Sequence, residues 1–211
     1  MKSIKSEGSA TCPNCGEVFD AEFWTLVSAS DDEALKQSLL GGELNLVSCP
    51  SCGKFFYHDR NIIYFDPPAE LLAFVSPDGD KNDFEKIKQK MQTDFQTLKA
   101  NITSLNIDYE PFYLCGLAEL KAMADYETSI TEESEVLAVL CAQMGYKLAA
   151  IKKSAARVKG WPFYLPVDGD NYTKDAVLKA ARQVIAANPN MHLLAAFVKD
   201  IRAGAELPQR L

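Results

Sequence analysis

Histidine is scarce in this sequence, with two residues in 211, and tryptophan is equally rare. His58 and His192 stand far apart with no matched nucleophile, so a histidine-based catalytic set has no support. Walker loop, Rossmann glycine fingerprint, HExxH and nucleophile elbow are all missing, and the reading is a non-enzymatic protein. No apolar run approaches the roughly 18 residues that a bilayer crossing needs. The opening Met1-Lys2-Ser3-Ile4-Lys5 leads into polar residues and not a signal-peptide core, so a soluble, cytoplasmic protein is expected. Positive charge is short as well: 22 basic residues against 29 acidic ones leave a net charge of −7. Residues 1–60 carry 5 basic and 9 acidic groups, residues 61–150 carry 7 and 15, and residues 151–211 carry 10 and 5. The balances of −4, −8 and +5 deny the first two sections any field that attracts phosphate.

Against these absences stands cysteine. Four of the six cysteines fall in two matched turns, Cys12-Pro13-Asn14-Cys15-Gly16 and Cys49-Pro50-Ser51-Cys52-Gly53. Two thiolates separated by two residues can grip one side of a tetrahedral ion from a single tight turn, and a second turn completes the tetrahedron. Proline after the first cysteine presets φ, and glycine after the second permits a positive φ that aims backbone N–H groups at the sulfurs. The expected cofactor is one structural Zn2+, with all four positions filled and none left for water or substrate. Iron suits the same four-sulfur cage. The competing reading is a pair of disulfides or a thioredoxin-like redox site. A redox CxxC usually occurs once, at the start of a helix, whereas this motif is duplicated and followed by glycine and strand-formers.

The stretch from Thr11 to Ser76 reads mainly as β, with strands at Val18–Val27, Leu44–Val47, Phe55–Tyr57, Ile62–Phe65 and Leu71–Val75. One helix interrupts it: Ser30 and Glu33 form a capping box, Leu35, Leu39 and Leu40 an apolar face, and Gly41-Gly42 the C-terminal cap. These strands should form a small antiparallel sheet. From Phe84 the period changes, since Phe84, Ile87, Met91, Phe95, Leu98, Ile102 and Leu105 step by three or four along one helix face. Tyr109 to Cys115, broken by Pro111, suits a short edge strand. Leu117, Leu120, Met123 and Ala124 begin another helical face. Thr131 should cap a further helix lined by Val136, Leu137, Leu140, Cys141, Met144, Leu148 and Ile151. Trp161 to Tyr172 reads as an aromatic and proline-rich loop, followed by helices carrying Val177–Ile185 and Leu193–Ile201.

The succession of CPxCG turn, strand, capped helix, Gly42-Glu43-Leu44, strand, second CPxCG turn, aromatic strand, Tyr64-Phe65-Asp66-Pro67 and Leu71-Leu72-Ala73-Phe74-Val75-Ser76-Pro77 resembles the CpXC domain family. That family is a bacterial and archaeal group named for its two cysteine pairs. The resemblance is close over residues 9–77 and continues more weakly to Met144. It implies that Cys12, Cys15, Cys49 and Cys52 are the metal ligands and implies no activity. The expected fold is α+β: a zinc-ribbon-based antiparallel sheet with an inserted helix, then a mainly helical C-terminal part. The expected division is a domain over 9–150, with ribbon and sheet at 9–77 and helical completion at 80–150, and a helical extension over 151–211.

Other signals are weaker. Cys115 and Cys141, set among Leu and Ala, read as core residues. His58 reads as a surface or supporting residue beside an already saturated site, and His192 as solvent-facing. The acidic loops at Asp78 and Asp168 fail the calcium-loop pattern, which needs glycine sixth and glutamate twelfth where these offer Asp83 and Gln89, or Thr173 and Lys179. Lys152, Lys153, Arg157 and Lys159, followed by Trp161, Phe163 and Tyr164, form the candidate partner-binding segment. Basic groups beside exposed aromatics bind nucleic acid or acidic partners, whereas a solvated helix end with aromatics packed on the core is the plainer alternative. The expectation is a zinc-stapled interaction or scaffold module whose helical part binds a protein partner or a second copy. A nucleic-acid-binding zinc ribbon and a thiol redox sensor that releases zinc are the alternatives.

Overall fold

The computed structural model describes residues 2–101 and 107–211. Two compact units divide between Asp125 and Tyr126.

The first unit is built on a five-stranded sheet. Strands β1 (Ile4–Thr11) and β2 (Val18–Ser28) form a long antiparallel hairpin. Strands β3 (Leu46–Ser48) and β4 (Phe55–Tyr57) form a separate short hairpin. Strands β5 (Ile62–Asp66), β6 (Leu71–Ser76) and β7 (Phe112–Cys115) complete the main sheet in the order β1-β2-β5-β6-β7. The sheet joins antiparallel pairs of the kind expected, β1 with β2 and β5 with β6, to two parallel ones, β2 with β5 and β6 with β7. Parallel neighbours need long crossovers. The helix α1 (Glu33–Leu40) and the β3–β4 hairpin supply the first crossover, and α2 (Phe84–Asn101) lies in the second. The edge position of β7 is as expected.

Both faces of β5 and β6 are covered, which explains their nearly continuous apolar sequence. Ile62, Tyr64, Leu71, Ala73 and Val75 point to one side, where Leu35, Leu39, Leu44 and Leu120 pack against them. Ile63, Phe65, Leu72 and Phe74 point to the other, toward Phe95 and Tyr109. The period of two along each strand sorts the residues between the two cores. The expected helix at Phe84 is present; Ile102 and Leu105 lie outside the described residues.

Capping of α1 differs in one respect from the sequence reading. Asp32, not Ser30, caps its N-terminus by accepting from the Leu35 N–H at 3.0 Å. At the other end Gly42 takes φ +75°, with Gly42 N–H bonding Leu39 O and Glu43 N–H bonding Ser38 O, the doubled closure of a Schellman turn.

The long helix α3 (Leu117–Met144) runs unbroken through the point where Thr131 was expected to start a new one. The Thr131 hydroxyl donates to Glu127 O at 2.9 Å and the Ser134 hydroxyl to Ile130 O at 2.7 Å. Each hydroxyl is thus satisfied inside a continuing helix.

The second unit holds a core of Ile130, Leu137, Cys141, Ile151, Trp161, Phe163, Leu165, Phe197 and their neighbours. After Gly145 (φ +74°) closes α3, the chain forms β8 (Lys147–Ala150), α4 (Lys153–Lys159) and β9 (Tyr164–Val167). Strands β8 and β9 pair antiparallel, so Leu148 and Ile151 leave the helix that their spacing suggested, and the aromatic segment contains a strand. The chain ends in α5 (Lys174–Ala187), capped by Thr173, and α6 (His192–Arg202). The sequence reading divided the chain at 150/151; contact density divides it 25 residues earlier, since α3 beyond Asp125 shares its core with everything that follows. Among the described residues no helix is long and apolar enough to cross a membrane.

Candidate metal centre

Each CPxCG turn closes a hairpin. Thr11 pairs with Val18 across the first, and Ser48 pairs with Phe55 across the second, so six residues lie in each loop. The two loops share one hydrogen-bond plan. Cys12 N–H bonds Glu17 O at 2.8 Å and Gly16 N–H bonds Cys12 O at 3.0 Å; Cys49 N–H bonds Lys54 O and Gly53 N–H bonds Cys49 O, both at 2.9 Å. Gly16 and Gly53 take φ +74° and +68°, the left-handed region that the motif's glycine supplies.

The turns face each other and bring all four Sγ atoms within 4.8 Å of one another. Cys12 Sγ lies 3.7 Å from Cys52 Sγ, and Cys15 Sγ lies 3.6 Å from Cys49 Sγ. A tetrahedral ion with metal–sulfur bonds of about 2.3 Å separates its sulfurs by about 3.8 Å, so the four thiols fit the cage expected of them and could hold a metal ion. Cys12 and Cys49 are buried while Cys15 and Cys52 reach solvent. Among the described residues, this is the cluster of three or more His, Cys, Asp and Glu donors arranged to bind an ion.

Backbone amides supply the surrounding shell symmetrically, from Glu17 to Cys15 and from Lys54 to Cys52. Asn14 adds a contact across the two turns, its amide reaching Cys52 Sγ at 3.5 Å. The Lys54 amide first, and then Asn14, hold the Cys52 thiol down at about 6. That lowering moves Cys52 toward the thiolate form a metal requires, while burial and the neighbouring thiols push Cys15 the other way. Asn14 occupies the variable position of CPxC, and nothing in the spacing marks it as a sulfur partner.

The short hairpin is fastened at its base by Asn45. Its side chain accepts from Trp24 N–H at 2.8 Å and donates to Trp24 O at 3.1 Å, while Asn45 O accepts from His58 N–H at 3.0 Å. Asn45 is buried with φ +58°, a conformation asparagine tolerates better than most residues. Phe19 meets Phe56 edge-on at 6.2 Å, and His58 stacks on Phe23 at 4.1 Å. Burial, and then the charge of Arg60, lower the His58 pKa, and the ring serves as a packing partner of Phe23. Asn45→Ala should cost about 2–4 kcal/mol, from one to two lost hydrogen bonds and the αL preference. Urea denaturation of the metal-loaded protein measures this, and an unchanged midpoint would show that the short hairpin does not depend on Asn45.

The candidate partner-binding segment is not a continuous surface. Trp161 and Phe163 are buried, and Trp161 meets Phe197 edge-on while its Nε1–H donates to Asp200 at 2.9 Å. Arg157 is buried in a two-point ion pair with Glu127, at 2.7 and 2.8 Å. Lys152, Lys153 and Tyr164 are half-buried, Lys153 lies over the Phe163 ring, and only Lys159 of the seven is exposed. The aromatics pack on the core, which is the plainer of the two sequence alternatives. Cys115 and Cys141 are buried as expected, and burial pushes the Cys141 thiol up to about 11, away from reactivity. His192 is exposed at the start of α6.

A pocket of about 310 Å3, lined by Leu39, Leu44, Tyr57, Asp59, Asp78 and Leu117, lies beyond the β4 end of the short hairpin. Its walls come from four separate stretches of chain, and no local motif announces it. Burial raises the Asp59 carboxyl above its ordinary range, although the Asp78 N–H donates to it.

The chain matches the CpXC protein family over residues 10–141. No curated protein and no solved structure matches it significantly. The match spans more than half of the chain and contains both cysteine turns, and the chain belongs to the CpXC family.

Proposed function

We propose that this CpXC chain holds one Zn2+ ion on Cys12, Cys15, Cys49 and Cys52 as a structural staple, and that it works without catalysis as a protein-interaction or scaffold module. The supporting observation is the closed four-sulfur cage: two hairpin loops of one plan supply four ligands, all from protein. Zinc in such a cage supplies a cross-link and keeps no open position for substrate. The chain's own residues do the rest. The amides of Glu17 and Lys54 and the side chain of Asn14 spread the sulfur charge, and Asn45 fixes the hairpin that carries two of the ligands.

Metal analysis of purified protein tests the reading, with one zinc per chain expected and X-ray absorption giving four sulfurs at about 2.3 Å. Iron in equal amount, or oxygen or nitrogen in the first coordination sphere, would overturn it. The exposure of Cys15 and Cys52 favours one second reading, a thiol sensor that releases zinc. Zinc lost under mild peroxide and regained with thiol supports that reading; zinc retained throughout removes it. The nucleic-acid alternative loses its aromatic platform, because Trp161 and Phe163 are core residues.

A further inference from the structure

The positive charge of the C-terminal section is displayed away from the segment that sequence singled out. Helices α5 and α6 are joined by the short turn around Asn188-Pro189-Asn190, and between them runs a shallow groove of about 350 Å3. Arg182 and Ile185 line it from α5; Ala195, Val198, Lys199 and Arg202 line it from α6. On α6 these four positions step by 3, 1 and 3, one stripe of a helix surface. Ile185, Ala195 and Val198 make the floor, and three exposed cations stand around it. Among the described residues none of these cations is in an ion pair. A groove with an apolar floor and unpaired basic walls is complementary to a helix with apolar residues flanked by carboxylates.

The same unit carries such a helix face. In the half of α3 beyond Asp125, Ile130, Ser134, Leu137 and Cys141 face the core. Glu132, Val136, Val139 and Gln143, spaced 4, 3 and 4, lie on the opposite side, with Glu135 beside them. Val136 is 42% exposed and Val139 57%. On an otherwise ordinary solvent face two valines in adjacent turns are an apolar strip, and the glutamates beside them are exposed and, among the described residues, outside any ion pair. Glu133, one residue along, shows what an α3 carboxylate does when turned inward. It accepts from the Leu193 and Leu194 N–H groups, both at 3.0 Å, and caps α6.

We propose that the α3 face of one copy docks in the α5–α6 groove of a second copy, and the reverse, so that this chain pairs with itself. This names the partner in the interaction reading above and rests on that reading. The occupant is chosen on charge and shape: the groove needs an acidic, apolar helix face, and this chain exposes one that matches it in stripe and in sign. Because each copy carries both surfaces, a two-fold pair in which each face meets the other copy's groove would leave no groove open for a chain of copies.

Analytical ultracentrifugation of the full-length, zinc-loaded chain tests the pairing. The expected mass is twice 23.3 kDa, with association that weakens as salt rises. Arg182→Glu with Lys199→Glu should weaken pairing at least tenfold, and Glu132→Arg with Glu135→Arg should do the same. All four residues lie on the surface, and mixing the two charge-reversed proteins should restore a mixed pair in which every acidic face again meets a basic one. Restoration also shows that both variants fold. A monomer at about 0.1 mM, a pair indifferent to both reversals, or no recovery on mixing would overturn the proposal. A monomer that binds an acidic helical peptide in this groove would overturn it too, in favour of a different occupant. A monomer carrying its full zinc refutes the pairing alone and leaves the staple reading intact. A pair lacking zinc refutes the staple alone.

Discussion

Cys49→Ser is expected to unfold or loosen the two hairpins of the first unit while leaving the second unit folded. Metal binding at a four-cysteine site is worth roughly 10–16 kcal/mol, as large as the whole stability of a typical domain at about 5–15 kcal/mol. The hairpin that carries Cys49 has little else to hold it. Strands β3 and β4 are three residues long and pair only with each other, and Leu46, Phe55 and Tyr57 on one face are exposed. A two-stranded ribbon of that size is at best marginal in water. What remains is the Asn45 bracket, the Phe19–Phe56 contact and the His58–Phe23 stack, together worth a few kcal/mol. Hydrogen exchange should therefore show loss of protection in β3, β4 and the Thr11–Val18 end of the long hairpin. Amides of the core around Leu165 and Phe197 should keep theirs, since none of the four cysteines belongs to that core. A chelator should reproduce the pattern in the parent protein and add nothing in the variant. Unchanged protection in β3 and β4 would show that the cysteines do not staple the fold.

The second large effect lies in the second unit. Glu127 and Arg157 form a two-point pair at 2.7 and 2.8 Å, with side chains 5% and 3% exposed. Removing one member leaves a buried charge without its counter-ion, which costs about 3–5 kcal/mol. Arg157→Met and Glu127→Gln should each lower the melting temperature by about 6–20 °C at the usual 2–4 °C per kcal/mol for a chain of this size. The double replacement should recover much of the loss, because a buried pair exchanged for uncharged groups is often neutral. Thermal denaturation of the three variants measures the coupling, and additive losses in the double variant would show that the two residues act independently.

How legible these features were in sequence depended on whether their partners were near in the chain. The cysteine turns were fully legible because geometry, ligand chemistry and the glycine that permits the turn all lie within five residues, twice. Helix α1 was legible from its two glycines. The continuity of α3 through Thr131 and its C-terminal end were not. Leu148 and Ile151 continue the spacing of Cys141 and Met144, and periodicity alone does not say that Gly145 stops the helix and turns the next residues into β8. The sheet was half legible: alternation marked β5 and β6 as strands, while the parallel pairings depend on where the crossovers of residues 29–61 and 77–111 lay their ends. The basic and aromatic run from Lys152 to Tyr164 misled for a related reason. Arg157 finds its carboxylate 30 residues upstream and Trp161 finds its ring partner on α6, and neither contact leaves a local trace.

The long separation between the two cysteine turns also has a kinetic side. Cys12 and Cys15 leave a ribosome 37 residues ahead of Cys49 and Cys52, about 2–7 s earlier at ordinary synthesis rates. The β1–β2 hairpin is local and forms from its own turn, but the parallel pairing of β2 with β5 must close a crossover of more than 30 residues. That closure carries an entropy cost which grows with the length of chain left free. An ion gripped first by one turn and then by the other would tie that crossover near its middle. Only the short arm from Cys52 to Ile62 then remains to be searched. An ion held by both turns would therefore also shorten the path by which the parallel strands find each other.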